Sequence, residues 1–296
     1  MNFDYGNILT RTFQITWKYK VFWGILTIPM LISFAIFPVM FLFLFFFEEN
    51  QTSEMNALIT VLFFAFFFLI IVVSTILQVF ALSAVTLGIV RVERGEGSLK
   101  FIDLLQDSRE YFWRQLGVFL IVQLSVGLIF TIFFAFVFAA TMVTMGLASI
   151  CLQPLFILIT PLSFLMIGVL EAAHTAVITE NLSAWDAVKR GAEIVRDHVW
   201  KYIILTIIIY FGITIISSFL MFPMFIPLMG FPIFAESGGD FVNSPLMVVT
   251  ILFLCIFFPI MAFISAISQT LLKTALDLTY LHLTHKGENQ VIVNQS

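Results

Sequence analysis

Residues 57–90 read ALITVLFFAFFFLIIVVSTILQVFALSAVTLGIV, without a single Asp, Glu, Lys or Arg. Crossing the hydrocarbon core of a bilayer takes about 20 apolar residues. As one straight helix this stretch measures about 51 Å, so it spans a membrane and must also tilt, kink or project past the lipid. A buried helix of a water-soluble protein is the competing explanation, and the rest of the chain excludes it. Hydrophobic residues make up 61% of the 296, charged residues 11%, and mean hydropathy is +1.08, whereas soluble domains carry about 25% charged residues. The 37 Phe residues belong on a surface that faces acyl chains rather than water.

Working outward, five further runs reach spanning length: residues 21–47, 116–149, 155–178, 203–221 and 246–268. The third and fourth spans are separated by a short turn around Cys151, Gln153 and Pro154. Between the fifth and sixth, MFPMFIPLMGFPIF holds Pro223, Pro227 and Pro232, a spacing that no regular helix tolerates; it reads as an apolar loop at the outer surface. Six transmembrane helices in an all-α integral membrane protein are therefore expected.

Charge sorts the connections. Arg11, Lys18 and Lys20 precede the first span, Arg91, Arg94, Lys100, Arg109 and Arg114 lie between the second and third, Lys189, Arg190, Arg196 and Lys201 between the fourth and fifth, and Lys273 and Lys286 follow the sixth. The opposite connections hold Glu48, Glu49 and Glu54, then no charge, then Glu236 and Asp240. The positive-inside rule places both termini in the cytoplasm, in the cytoplasmic membrane of a prokaryote. Trp17, Trp23, Trp113, Trp185 and Trp200 all map to that boundary, where an indole buries its ring and keeps its N–H wet. They are the expected interfacial anchors. The first 20 residues lack a short apolar core with a small-residue cleavage site, so no removable signal peptide is expected.

A polar stretch precedes each pair of spans. In SAWDAVKRGAEIVRDHVWKY, Ser183 and Asp186 form a capping-box pattern; Trp185, Val188, Ala192, Val195 and Val199 then share one face, and Asp186, Arg190, Glu193, Asp197 and Lys201 the other. In SLKFIDLLQDSREYFWRQ, Lys100, Asp103, Asp107, Glu110 and Arg114 oppose Phe101, Leu104, Leu105 and Phe112. Near the start, Asn7, Arg11, Gln14 and Lys18 oppose Tyr5, Leu9, Phe13 and Trp17. Such helices suit the cytoplasmic interface, apolar face toward acyl chains. The expected unit is one amphipathic interfacial helix followed by a two-span hairpin, used three times as parallel repeats. The units cover about 1–96, 97–181 and 182–285 of a single membrane domain (1–296), with a polar C-terminal tail at 286–296.

The segment AVITENLSAWDAVKRGAEIVRDHVWKYI (176–203) resembles a pattern in prokaryotic multi-pass proteins similar to the membrane domain of glycerophosphoryl diester phosphodiesterase. Its elements are Glu180, the turn at 181–183, Lys189 with Arg190, and Trp200. FDYGNILTRTFQITWKYKVFWGIL (3–26) looks like the usual start of such proteins. The resemblance implies a six-span membrane protein and transfers no catalytic residue, because the phosphodiesterase itself would occupy a separate soluble domain.

An ionisable residue inside a span is a functional candidate by default. Glu171 and His174 lie three apart near the cytoplasmic end of the fourth span, on one helical face with Thr175, and could relay protons; the competing reading has Glu171 and Glu180 reaching interfacial water. Lys273 and Asp277 read as an intrahelical ion pair where the sixth helix leaves the lipid. Ser74, Thr75, Gln78, Ser83 and Thr86 in the second span, and Gln123 and Ser125 in the third, suit interhelical hydrogen bonds. The candidate intramembrane polar site is thus Glu171, His174, Thr175, Gln78 and Gln123, with no charge expected in the central turns of the spans.

No catalytic residues and no metal are expected. Cys151 and Cys255 belong to no ligand cluster, no nucleotide, serine-hydrolase or zinc-protease motif occurs, and Asn50-Gln51-Thr52 is a chance-level glycosylation sequon. No cofactor and no nucleic-acid partner is expected; the partners are the lipid bilayer and a cytoplasmic or membrane protein docked on the amphipathic helices. The leading expectation is a noncatalytic scaffold or accessory component of the membrane. A transporter or permease-like subunit is the alternative, and an interfacial lipid-modifying enzyme the third.

Overall fold

The computed structural model describes residues 3–34, 36, 53–97, 99–144, 146, 153–222 and 245–284. Among them there is no strand, and the helices are α1 Tyr5–Lys18, α2 Val21–Phe34, α3 Ser53–Glu93, α4 Phe101–Ser108, α5 Phe112–Val143, α6 Gln153–Thr179, α7 Ala184–Asp197, α8 Val199–Met221 and α9 Pro245–Thr284. Five segments are long and apolar enough to cross a membrane: Ala57–Glu93, Phe112–Val143, Ile159–Thr179, Val199–Leu220 and Cys255–Thr284. The chain is an all-α membrane protein. Of the first expected span, the 14-residue α2 and Ile36 are described, and residues 35 and 37–47 lie outside the described residues. So do Cys151, the sequon at 50–52, Glu48, Glu49, Glu236, Asp240, the three loop prolines and the tail at 286–296. The side chain of Glu54 lies outside them as well.

Local signals start and stop the shorter helices. The Asp4 carboxylate accepts from the Asn7 backbone N–H at 3.0 Å and opens α1; Ser183 Oγ accepts from Asp186 N at 3.3 Å and opens α7. Both satisfy donors that a helix N-terminus leaves free. Between α6 and α7, Asn181 turns the chain with φ +54°, a left-handed conformation that Asn tolerates better than most residues, and its side-chain oxygen accepts from Arg114 Nη1 at 2.6 Å.

One end of the bundle is densely packed. The spans α6 and α9 touch each other and both touch α3 and α8; α6 also packs on α5 and α7, and α9 on α1 and α2. Phe22, Leu26, Val85, Ile89, Leu104, Ala173, Val177, Leu205 and Leu276 form the core there. The first and last described segments meet at this end, with the rings of Phe3 and His282 5.9 Å apart. It is also where Arg11 pairs with Glu93 at 3.0 Å and Arg91 with Asp107 at 2.6 Å, and it is called the basic end below. Away from it, α3 from Leu58 to Val73 and α5 from Leu124 to Val143 keep large apolar side chains exposed, as a lipid-facing surface requires.

The polar helices pack on the bundle by a face largely distinct from the expected lipid-facing stripe. Ala187, Gly191, Ile194 and Val195 are the buried residues of α7 and Val188 packs beside them, so the contact face overlaps the expected apolar stripe at Val188 and Val195, while Trp185 is exposed. Gly191 permits this contact. A Cβ at this position would stand 2.8 Å from Ala173 N and 2.9 Å from Val169 O, so α7 lies backbone to backbone on α6. Likewise α1 buries Ile8, Thr12, Ile15 and Thr16 against the protein and leaves Phe13 and Trp17 exposed. These helices therefore rest on the bundle by small and mid-sized residues and turn their bulkiest apolar groups outward. Of the five expected anchors, Trp17, Trp113, Trp185 and Trp200 are exposed; Trp23 is buried, edge-on to Trp17 at 4.8 Å and to Phe263 at 6.0 Å, and is a core residue instead.

Candidate functional site

The last helix adds most to the sequence reading. Beyond residue 268 α9 continues to Thr284 and holds Lys273 and Asp277 inside the bundle, where they are 1% and 0% exposed. Four residues apart, they share a helical face that meets α6. On α6 the facing residues are Glu171, His174 and Thr175, at spacings that also align on one face.

Lys273 Nζ donates to Glu171 Oε2 across the helix pair and stands 4.0 Å from Asp277 Oδ2. Thr175 Oγ1 lies 2.8 Å from Asp277 Oδ1 and 2.9 Å from the Glu171 carbonyl, so its single hydrogen serves one of the two at a time. Glu171 is therefore not a carboxylate reaching for interfacial water: it is 8% exposed and lies about 12 Å inside the helix end at Thr179. His174 is 1% exposed, with Nδ1 3.9 Å from Glu171 Oε2, beyond hydrogen-bonding distance. Neither ring nitrogen has a hydrogen-bond partner, nor does Asp277 Oδ2 or the Tyr202 hydroxyl. Tyr202 of α8 and Thr86 of α3 face Asp277, and Gln115 of α5, fully buried, donates to the His174 carbonyl at 2.9 Å. Five helices thus close around two carboxylates, one ammonium and one imidazole.

The centre belongs to a longer polar face. Gln269, Lys273, Asp277 and Tyr280 recur along one side of α9 over about 16 Å. At one end Gln78 Nε2 of α3 donates to Gln269 Oε1 at 2.7 Å. At the basic end the Tyr280 hydroxyl donates to Glu180 Oε1 at 2.6 Å, and Arg190 Nε of α7 lies 3.3 Å from Glu180 Oε2.

Of the predicted site, Glu171, His174 and Thr175 sit in the charge centre and Gln78 joins the same helix face further along. Gln123 does not: it is exposed on the outer side of α5. Ser74 and Ser125 bond carbonyls of their own helices, Ile71 at 3.0 Å and Ile121 at 2.7 Å, rather than reaching between helices. Sequence reasoning missed Gln115, Gln269 and Tyr202; it paired Lys273 with Asp277 along one helix, as their 4.0 Å approach bears out, but left both outside the candidate site. The four-residue recurrence at 269, 273 and 277 was the available signal. Among the described residues, no three His, Cys, Asp or Glu side chains are grouped to hold a metal ion.

Comparison of the chain with protein-family models, with curated proteins and with solved structures returns no match.

Proposed function

We propose that this chain is a transporter or permease-like subunit that moves a small solute across the membrane and works around the charge centre between α6 and α9. The observation that carries this reading is Lys273, buried in a span against Glu171 and Asp277. Placing ions in a low-dielectric interior costs several kcal/mol each, and apolar residues of similar volume often stabilise as well or better. A purely structural bundle has no need of such a group, whereas ion and substrate pathways in membranes are built from them. The centre also joins helices that must shift against one another if access to it is to alternate.

The finer architecture proposed is six spans in three hairpins, with α1, α4 and α7 preceding successive hairpins, and both termini in the cytoplasm of a prokaryote. Supporting it are the packing of α2 on α3, α5 on α6 and α8 on α9, and the gathering of Arg11, Arg91, Arg114 and Arg190 at one end. The scaffold reading retains one specific support: Phe13, Trp17, Ile102 and Trp185 are exposed on the polar helices, where a partner or the headgroup layer would cover them.

The test is solid-supported-membrane electrophysiology on proteoliposomes, with concentration jumps of amino acids, organic acids, sugars and monovalent cations. The expected result is a transient current for at least one class, lost in the double variant Lys273→Met with Glu171→Gln. Silence across the panel, or a current equal in the variant, overturns the transport reading.

A further inference from the structure

Counting charge in the centre gives two carboxylates, Glu171 and Asp277, against one ammonium, Lys273, with a neutral imidazole beside them. One negative charge is left over in an interior that tolerates none unpaired. We propose that the centre takes up one proton, seated on the Glu171–Asp277 carboxylate pair, and that this proton is the ion to which the protein's conformational work is coupled. The role in coupling rests on the transport reading; the proton site itself does not.

The geometry selects the proton over a metal cation. Lys273 Nζ already occupies the position between the two carboxylates that a metal would take, and the described residues offer no ligand cage. A proton needs neither space nor a cage. Its seat is visible: Asp277 Oδ1 is engaged by Thr175, while Oδ2 has no hydrogen-bond partner and is buried. The groups facing this carboxylate are Lys273 on its own helix, Glu171 and Thr175 on α6, Thr86 on α3 and Tyr202 on α8, with His174 beside Glu171. A hydroxyl can accept as well as donate, and those of Thr86 and Tyr202 are buried near Asp277 without a hydrogen-bond partner of their own. His174 is a poorer seat, because an imidazolium donates through both nitrogens and neither has an acceptor in hydrogen-bonding reach.

Uptake converts one carboxylate and one proton from water into a carboxylic acid, with no other reactant. It leaves Lys273 paired to a single carboxylate and so alters the attraction between α6 and α9. Protonation belongs to the coupled pair rather than to either residue alone. The nearest water-reached carboxylate along the same face is Glu180, bonded by Tyr280 at the basic end, its side chain 32% exposed.

The experiment is infrared difference spectroscopy of the full chain in lipid nanodiscs, titrated from about pH 8 to about pH 6, the window in which ordinary carboxylates stay ionised. A protonated-carboxyl C=O band growing in as pH falls, equivalent to one group per chain, is expected. That band should vanish in Asp277→Asn, an isosteric change that still accepts from Thr175, or be strongly displaced in pH in Glu171→Gln. No such band in the wild-type protein overturns the proposal whether or not the variants fold. An imidazolium signature lost in His174→Phe, with no carboxyl band, also overturns it. So does displacement of the band by sodium or potassium at fixed pH. A band without solute current refutes transport and leaves the proton site standing; a current without the band does the reverse.

Discussion

Replacing Lys273 with Met keeps side-chain volume nearly constant but strips the ammonium from between Glu171 and Asp277, which are 8% and 0% exposed. At an effective dielectric of about 20, the 4.0 Å approach to Asp277 alone is an attraction of about 4 kcal/mol. Breaking one partner out of a buried pair costs about 3–5 kcal/mol in general, so the two routes agree on the scale. Lys273→Met should therefore lose about 3–5 kcal/mol in a sodium dodecyl sulfate unfolding titration followed by tryptophan fluorescence. Adding Glu171→Gln removes one of the stranded charges and should return about half of that loss, a coupling that only contacting residues produce. The loss should grow as pH rises and shrink as it falls, because the stranded carboxylates are the repelling species and protons relieve them. If Lys273→Met unfolds within about 0.5 kcal/mol of the wild type, the value ordinary for an exposed position, Lys273 is not buried in an ion pair and the site is wrong.

Gly191→Ala should destabilise by about 1–3 kcal/mol through overpacking, since its Cβ would meet the α6 backbone at 2.8 Å, whereas Gly212→Ala, with nothing within 4 Å, should be tolerated; the same titration reads both. Tyr280→Phe, which deletes the 2.6 Å bond to Glu180, should cost about 1 kcal/mol in the same titration and leave the carboxyl band in place. In brominated-lipid vesicles, single-tryptophan proteins retaining Trp17, Trp113, Trp185 or Trp200 should be quenched by shallow bromines, and one retaining only Trp23 should be protected, as its 7% exposure requires. Equal quenching at all five positions would contradict the docking of α1 and α2.

What could be read from sequence divides along physical lines. Residues 57–90, 116–149 and 203–221 announce themselves because lipid contact demands composition, and composition is local. The structure keeps α3, α5 and α8 apolar and largely uncovered over much of their length. The same uniformity hides which side of a span faces inward: with apolar residues all round, periodicity carries no information, and so Gln123, on the exposed side of α5, was chosen over Gln115, which is fully buried. Glu171 and His174 were visible as ionisable groups within a span, but the partner that gives Glu171 its meaning, Lys273, lies 102 residues further on. A hydropathy criterion ends a span where polar residues begin, and so it said nothing of the burial of Lys273 and Asp277, which other helices make tolerable by supplying counter-charge and hydroxyls. The faces by which α1 and α7 pack on the bundle were not legible for a related reason. Gly191 and Ala187 contribute little hydrophobicity, yet only small side chains permit the approach of α7 to the backbone of α6.

The central claim is that α6 and α9 meet at Thr175 and Asp277, bringing the carboxylate, ammonium and imidazole into one buried centre. Oxidative cross-linking in native membranes tests it most directly, using Thr175→Cys together with Asp277→Cys in a chain whose Cys151 and Cys255 are replaced by Ser. Side-chain oxygens 2.8 Å apart predict a disulfide that holds the two halves of the chain together after proteolysis between α7 and α8, while the control pair Gln123→Cys with Asp277→Cys stays open. Cross-linking of the control pair with none at 175 and 277 would contradict the packing of α6 on α9 and, with it, the existence of the charge centre.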